Sequence, residues 1–283
     1  MYADDTQLYL SFYPSEWQSA KSRMENCIKE ISEWLKWNCL KLNDSKTEMM
    51  IIGKNSVVEK IDGILDIEIG ETTVKPSPRV RNIGAIFDSE MRMLEQVNNV
   101  CRSSCASLHS IGRIRKFFDV DAVKTLVHAF ITCKLDNLNS ILAGIPDYAI
   151  HKLQMVQNNA ARLITKKDHI TEVLIDLHWL PIEARIDYKI LLLVYKTLNG
   201  LGPAYLEDML QFKQHKRETR SSDDLLMLAF PKTHFKTLGD RSFTFTAVDQ
   251  WNVLPLELRA SPSLSTFKEH LKTFLFKRSY PNS

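Results

Sequence analysis

Two adjacent carboxylates, Asp4 and Asp5, have the residue type and spacing in this chain that most directly suggest chemistry. They sit between Tyr2 and an alternating run, with Leu8, Leu10 and Phe12 on one side and Tyr9 and Ser11 on the other. Period-two alternation reads as a half-buried strand. Asp tolerates turn geometry, so the pair reads as the tip of a hairpin. Hard carboxylate oxygens at such a tip bind divalent metal. A two-metal site stabilises the attacking and leaving oxygens of an in-line phosphoryl displacement. The same dipeptide also fits an ordinary solvated turn.

The elements that would hold such a tip can be read downstream. Trp17, Ala20, Met24, Cys27, Ile28, Ile31, Trp34 and Leu35 recur at three- and four-residue spacing, which predicts an amphipathic helix to about Trp37 with its three Trp in a core. A strand is expected over Lys46–Gly53, then short strands over Ile64–Ile69, Thr72–Val74 and Val80–Phe87, punctuated by Gly and Pro. Gly84 suits either a close backbone approach or a bulge. From about Met91 the pattern turns helical. Leu94 to Ile114 forms one long apolar-faced helix, with Arg102, Arg113, Arg115 and Lys116 on or near it, and Asp119 is placed to cap the next helix. Further helices are expected over Tyr148–Thr165, from Pro181 to about Leu198, and at the C-terminus around Phe267, Leu271, Phe274 and Leu275.

With 283 residues, 44% hydrophobic and 25% charged, the composition is that of an ordinary globular protein with room for a substantial core. No apolar run reaches the roughly 20 residues of a membrane helix, and no basic-then-apolar leader opens the chain. No membrane partner is expected, and the reading is intracellular (nucleus or cytoplasm) and not secreted. Five scattered cysteines, with neither Cys-x-x-Cys nor zinc spacing, read as reduced, metal-free thiols. The net charge of +3 hides an asymmetry: residues 1–90 carry 11 Lys and Arg against 15 Asp and Glu, and the remainder 26 against 19. A basic C-terminal two-thirds fits either contact with a phosphate backbone or a mixed solvated surface.

Taken as strings, several blocks resemble one family. Tyr2-Ala3-Asp4-Asp5 followed by Thr6-Gln7-Leu8-Tyr9-Leu10 resembles the catalytic signature of reverse transcriptases of non-LTR (Jockey-type LINE) retrotransposons. Leu42-Asn43-Asp44-Ser45-Lys46-Thr47, Val80 to Asp88, Leu153 to Arg162, Leu177 to Ile186, and Trp251 to Arg259 continue the resemblance in family order. It implies an α+β fold: a truncated polymerase palm of short antiparallel strands plus helix over 1–90, a helical thumb over 91–200 and a C-terminal extension over 201–283. It implies RNA-directed DNA synthesis with two Mg²⁺ ions, an RNA template and a DNA primer. Asp4 and Asp5 would be catalytic and metal-binding, Lys46 would stand near the incoming triphosphate, and Tyr2 and Gly84 near the primer end. Arg102, Arg113, Arg115 and Lys116 would grip the template–primer backbone.

The family's third carboxylate and its fingers would lie before Met1. The chain is therefore expected to be a C-terminal fragment that does not polymerise DNA alone. The alternative is a nucleic-acid-binding or protein-interaction module, with a protein partner not yet identified.

Overall fold

The computed structural model describes residues 6–213, 226–232 and 239–281. The protein is α+β and divides into two compact units, Met1–Glu95 and Gln96–Ser283.

The first unit is built on helix α1 (Trp17–Trp37). Pro14 opens a 3-10 turn ahead of it, and the Glu16 carboxylate accepts from the Tyr13 amide at 3.0 Å. A short helix α2 (Asn55–Val58) follows, then two separate antiparallel hairpins. Strands β1 (Ile67–Ile69) and β2 (Thr72–Val74) pair through Gly70, and β3 (Arg79–Asn82) and β4 (Ala85–Asp88) pair through Ile83-Gly84. Both turn residues of the second hairpin have positive φ, 45° and 81°, the hand that matches strand twist.

The buried face of α1 and the inner face of the first hairpin form one core of Trp17, Ile28, Ile67, Ile69 and Val74. Trp17 is 5% exposed, and its indole N–H donates to the Ile64 carbonyl at 3.1 Å. Trp34 and Trp37 do not join this core. They stand 59% and 90% exposed, because helical phase turns them about 100° and 160° away from Trp17, while Leu35, in phase with Trp17, stays half-buried. The expected strand over Leu8–Phe12 is irregular chain, and the expected strand over Lys46–Gly53 reduces to a single bridge between Met49 and Pro76. Alternation alone cannot make a strand where no neighbour completes the ladder.

The second unit is helical. Helix α3 runs Leu94–Ile114, starting just ahead of the unit boundary. Helix α4 (Val120–Val127) passes through a π-helical turn (His128–Thr132) into α5 (Cys133–Asp136). Asp119 caps α4, its carboxylate accepting from the Ala122 amide at 2.7 Å. Helices α6 (Asp147–Thr165), α7 (Ile170–Asp176), α8 (Ile182–Leu198), α9 (Ala204–Glu207), α10 (Phe243–Asn252), α11 (Leu256–Arg259) and α12 (Leu264–Ser279) follow.

Helix α8 is the hub of this unit. Ile182, Ala184, Ile186, Ile190, Leu191, Val194 and Tyr195 are buried over more than half of its circumference, and α6, α10 and α12 pack against it. A narrow side carrying Arg185, Tyr188, Lys189 and Lys196 reaches solvent, as befits a helix at the centre of a bundle's packing. Residues on either side of position 200, expected in separate regions, therefore share one core. Tyr195 stacks on Phe267 of α12 (centroids 4.2 Å apart), and its hydroxyl donates to the Ser261 carbonyl at 2.8 Å.

Candidate nucleic-acid interface

The residues expected to form a site fall in both units. Tyr2, Asp4 and Asp5 lie outside the described residues. In the first unit, Lys46 ends a 3-10 turn (Asp44–Lys46) with its side chain exposed. The turn is held locally, with the Ser45 hydroxyl against the Asn43 side chain at 2.8 Å and the Thr47 hydroxyl donating to the Asn43 carbonyl at 3.1 Å. Gly84 sits in the turn that joins β3 and β4, where a side chain would meet nothing within 4 Å. Its φ of +81° accounts for the glycine, and close approach of another backbone is not needed to explain it. The Gln7 amide donates to the Asn82 side chain at 2.7 Å, which ties the stretch just after Asp5 to this same hairpin.

In the second unit the expected basic residues separate into two roles. Arg102 and Arg113 are exposed on α3, and no hydrogen bond or ion pair engages either among the described residues. At 100° per residue they share a helix face with His109, also exposed, over about 16 Å of axis. Lys116 continues the line in the 3-10 turn Arg115–Phe117, its ammonium 5.0 Å from the Phe117 ring centre.

Arg115 does not belong with them. Its guanidinium donates to the carbonyls of Leu163 and Ile164, both at 3.2 Å, and to Phe118 at 3.0 Å. These bonds satisfy carbonyls at the end of α6 that have no intrahelical partner. Arg115 is a clamp between α6 and the turn after α3, which corrects its expected role as a backbone-gripping cation. The inner side of α3 carries half-buried Cys101, whose thiol is pushed above its ordinary value chiefly by burial.

From Gln96 to Phe118 the sequence contains no Asp or Glu, so the α3 stripe is cationic without local neutralisation. Two exposed aromatic rings, Phe117 and Phe118, stand at its end, 73% and 41% exposed. Sequence reading takes Arg102, Arg113, Arg115 and Lys116 as one group and passes over the Phe pair. The signal for the pair is present in Arg115-Lys116-Phe117-Phe118, where two large apolar residues directly follow two basic ones at a helix end.

The other blocks of the sequence resemblance form framework. The Gln154 side chain accepts from the Ile182 amide at 2.9 Å, and buried Gln157 donates to the Leu180 carbonyl at 2.9 Å. Leu153–Arg162 thereby fixes the start of α8 within Leu177–Ile186. In the Trp251–Arg259 block Asn252 brackets Leu228, accepting from its amide and donating to its carbonyl, and the Trp251 indole donates to the Leu226 carbonyl at 2.9 Å.

No protein-family model matches the chain, and neither a curated protein nor a solved structure does. Among the described residues no group of three or more His, Cys, Asp or Glu could hold a metal ion. The terms reverse transcriptase, nucleotidyltransferase, palm and thumb that the resemblance supplies are matched by none of these comparisons and are corrected on those findings. No helix among the described residues is long and apolar enough to cross a membrane.

Proposed function

We infer that the chain is a nucleic-acid-binding module whose contact surface is the outer face of α3. The observation that carries this reading is the exposed line of Arg102, His109, Arg113 and Lys116 within a 23-residue stretch free of carboxylates. Cations spaced along a rigid helix neutralise successive phosphates and release counterions, which drives binding without sequence selection. The order of the sequence blocks supports descent from the region that follows the Tyr-Ala-Asp-Asp string in non-LTR retrotransposon proteins. Contact with their nucleic acid is the part of that inheritance this surface suits.

The test is a salt series of fluorescence anisotropy with a labelled RNA oligonucleotide and the full chain. The double variant Arg102→Glu/Arg113→Glu is expected to weaken binding at low salt. It should also flatten the plot of log K against log salt by about 0.7 for each phosphate that is no longer neutralised. An unchanged affinity and slope would overturn the assignment. A second reading, docking of a protein partner, draws on Trp34, Trp37 and Leu40, all exposed at the end of α1. Pull-down of a partner that Trp37→Ser abolishes, with RNA binding intact, would support it.

A further inference from the structure

We propose that the Phe117–Phe118 turn is a base-stacking platform, which makes unpaired nucleic acid the ligand class of the α3 surface. The inference rests on the reading of that surface as a polynucleotide site.

Three observations combine. First, Phe117 and Phe118 present rings to solvent immediately beyond the basic stripe, with Ile114 and Val120 also exposed beside them in sequence. Second, the Arg115 clamp holds this turn in place: three carbonyls, two of them on α6, accept from one guanidinium. A ring on a fixed turn loses little freedom when a base stacks on it. Third, the charge around the rings suits phosphate. Lys116 lies against the Phe117 ring, and Lys166 is exposed at the α6 end that Arg115 binds. The carboxylates next in sequence are engaged locally, Asp119 with the Ala122 amide and Asp121 with the Lys124 ammonium at 3.1 Å.

Aromatic rings at the edge of a cationic track discriminate between strands. In a duplex the base faces are already stacked on one another, so the rings find nothing to cover. In a single strand each base offers a free π-face, which aromatic side chains take without regard to sequence. Three cations, Arg102, Arg113 and Lys116, lead to the rings, and regularly spaced phosphates with free bases match that combination.

The experiment compares the full chain with Phe117→Ala/Phe118→Ala on four labelled probes of equal length: single-stranded RNA, single-stranded DNA, an RNA duplex, and a strand with abasic sites at its centre. Both rings are on the surface, so the variant is expected to fold, and circular dichroism checks this. The wild-type chain is expected to prefer either unpaired strand over the duplex by about tenfold, and the variant to lose that preference. The abasic strand is expected to bind the wild-type chain as weakly as the intact strand binds the variant. Equal affinity for single strand and duplex, or a variant that keeps the preference, would overturn the platform while leaving the basic surface standing. If no probe binds, or if Arg102→Glu/Arg113→Glu binds as the wild type does, the underlying reading fails. A strong difference between the RNA and DNA strands would assign the sugar a contact and narrow the ligand to one of them.

Discussion

Replacing Arg278 by Met is expected to destabilise the helical unit far more than replacing Asp187 by Asn, although the two residues form one ion pair. Asp187 projects from the hub helix α8, and Arg278, near the end of α12, donates to its carboxylate. Their surroundings are unequal: the side chain of Asp187 is 9% exposed and that of Arg278 is 42% exposed. Burial pushes the Asp187 carboxyl above its ordinary value, as does the negative charge of Glu183 one turn away. Hydrogen bonds from Arg278 and Gln250 and the Arg278 charge pull it back only in part. Desolvation therefore outweighs the pairing. Removing one partner of a buried pair costs about 3–5 kcal/mol, reduced here because solvent screens an Arg that is two-fifths exposed. A cost of about 2–3 kcal/mol is expected for Arg278→Met, which strands the carboxylate. Asp187→Asn leaves a guanidinium that reaches water and an amide that still bonds, so about 1 kcal/mol or less is expected.

The pH dependence gives the argument its sign. A carboxyl whose folded value is raised binds its proton more readily folded than unfolded. Its contribution therefore favours the fold as pH falls through the folded value, and is complete below the unfolded value near 3.9. Loss of Arg278 raises the folded value further. The deficit of Arg278→Met is thus expected to be smaller at about pH 5 than at about pH 7.5, because the raised carboxyl binds its proton more readily folded than unfolded. Chemical denaturation at both pH values would measure this, with hydrogen exchange of the α8 and α12 amides as a local readout for a chain of two units. Equal costs for the two variants, or a deficit for Arg278→Met that does not change with pH, would refute the reasoning.

Two further perturbations test the framework. Ile83 holds a φ of +45° in the β3–β4 turn, a conformation β-branched residues avoid, so Ile83→Asn is expected to stabilise that hairpin by about 0.5–1 kcal/mol. Gly84→Ala is expected to destabilise it by about 1–2 kcal/mol, through φ and not through contact, and slower or faster exchange at Asn82 and Ala85 would report each change. Gln157→Leu leaves the buried Leu180 carbonyl without its donor, while the Gln154 amide keeps Asn158 as acceptor, so a loss of about 1–3 kcal/mol is expected in thermal denaturation.

Helices were the legible part of this sequence because their signals are local. The apolar spacing of α1, Asp119 before α4, and Pro181 and Asn199-Gly200 around α8 all act within a few residues of the boundaries they set. Strand readings depended on partners the sequence does not identify. Leu8–Phe12 alternates, yet Phe12 turns in to meet the Trp17 ring at 5.4 Å while Tyr9 is almost wholly exposed. The three Trp of α1 do not share one phase: Trp34 and Trp37 fall about 100° and 160° from Trp17, and only Trp17 is buried. In the basic group a finer use of period would have helped. Thirteen residues after Arg102, continued helical phase points Arg115 about 140° away from the stripe, toward the carbonyls it binds.

The two hexapeptides Leu180-Pro181-Ile182-Glu183-Ala184-Arg185 and Leu254-Pro255-Leu256-Glu257-Leu258-Arg259 show how far a local signal reaches. Each Pro is an N-cap with nearly the same backbone, φ −58° and ψ 159° at Pro181, φ −56° and ψ 148° at Pro255. Each Leu before it is buried, and each Glu occupies the first turn, where a negative charge opposes the helix dipole. The residues beyond each Arg then decide the length. After Arg185 comes Ile186 and a continuous run of helix formers, and Arg185 pairs in bidentate fashion with Asp136, so α8 continues for 17 residues. After Arg259 come Ala260, Ser261 and Pro262, and the second helix closes after four residues. The motif therefore specifies a helix start buried on its Leu side. Its recurrence in the resemblance blocks is explained by packing, and the chemistry of this protein has to be sought where the exposed charge lies.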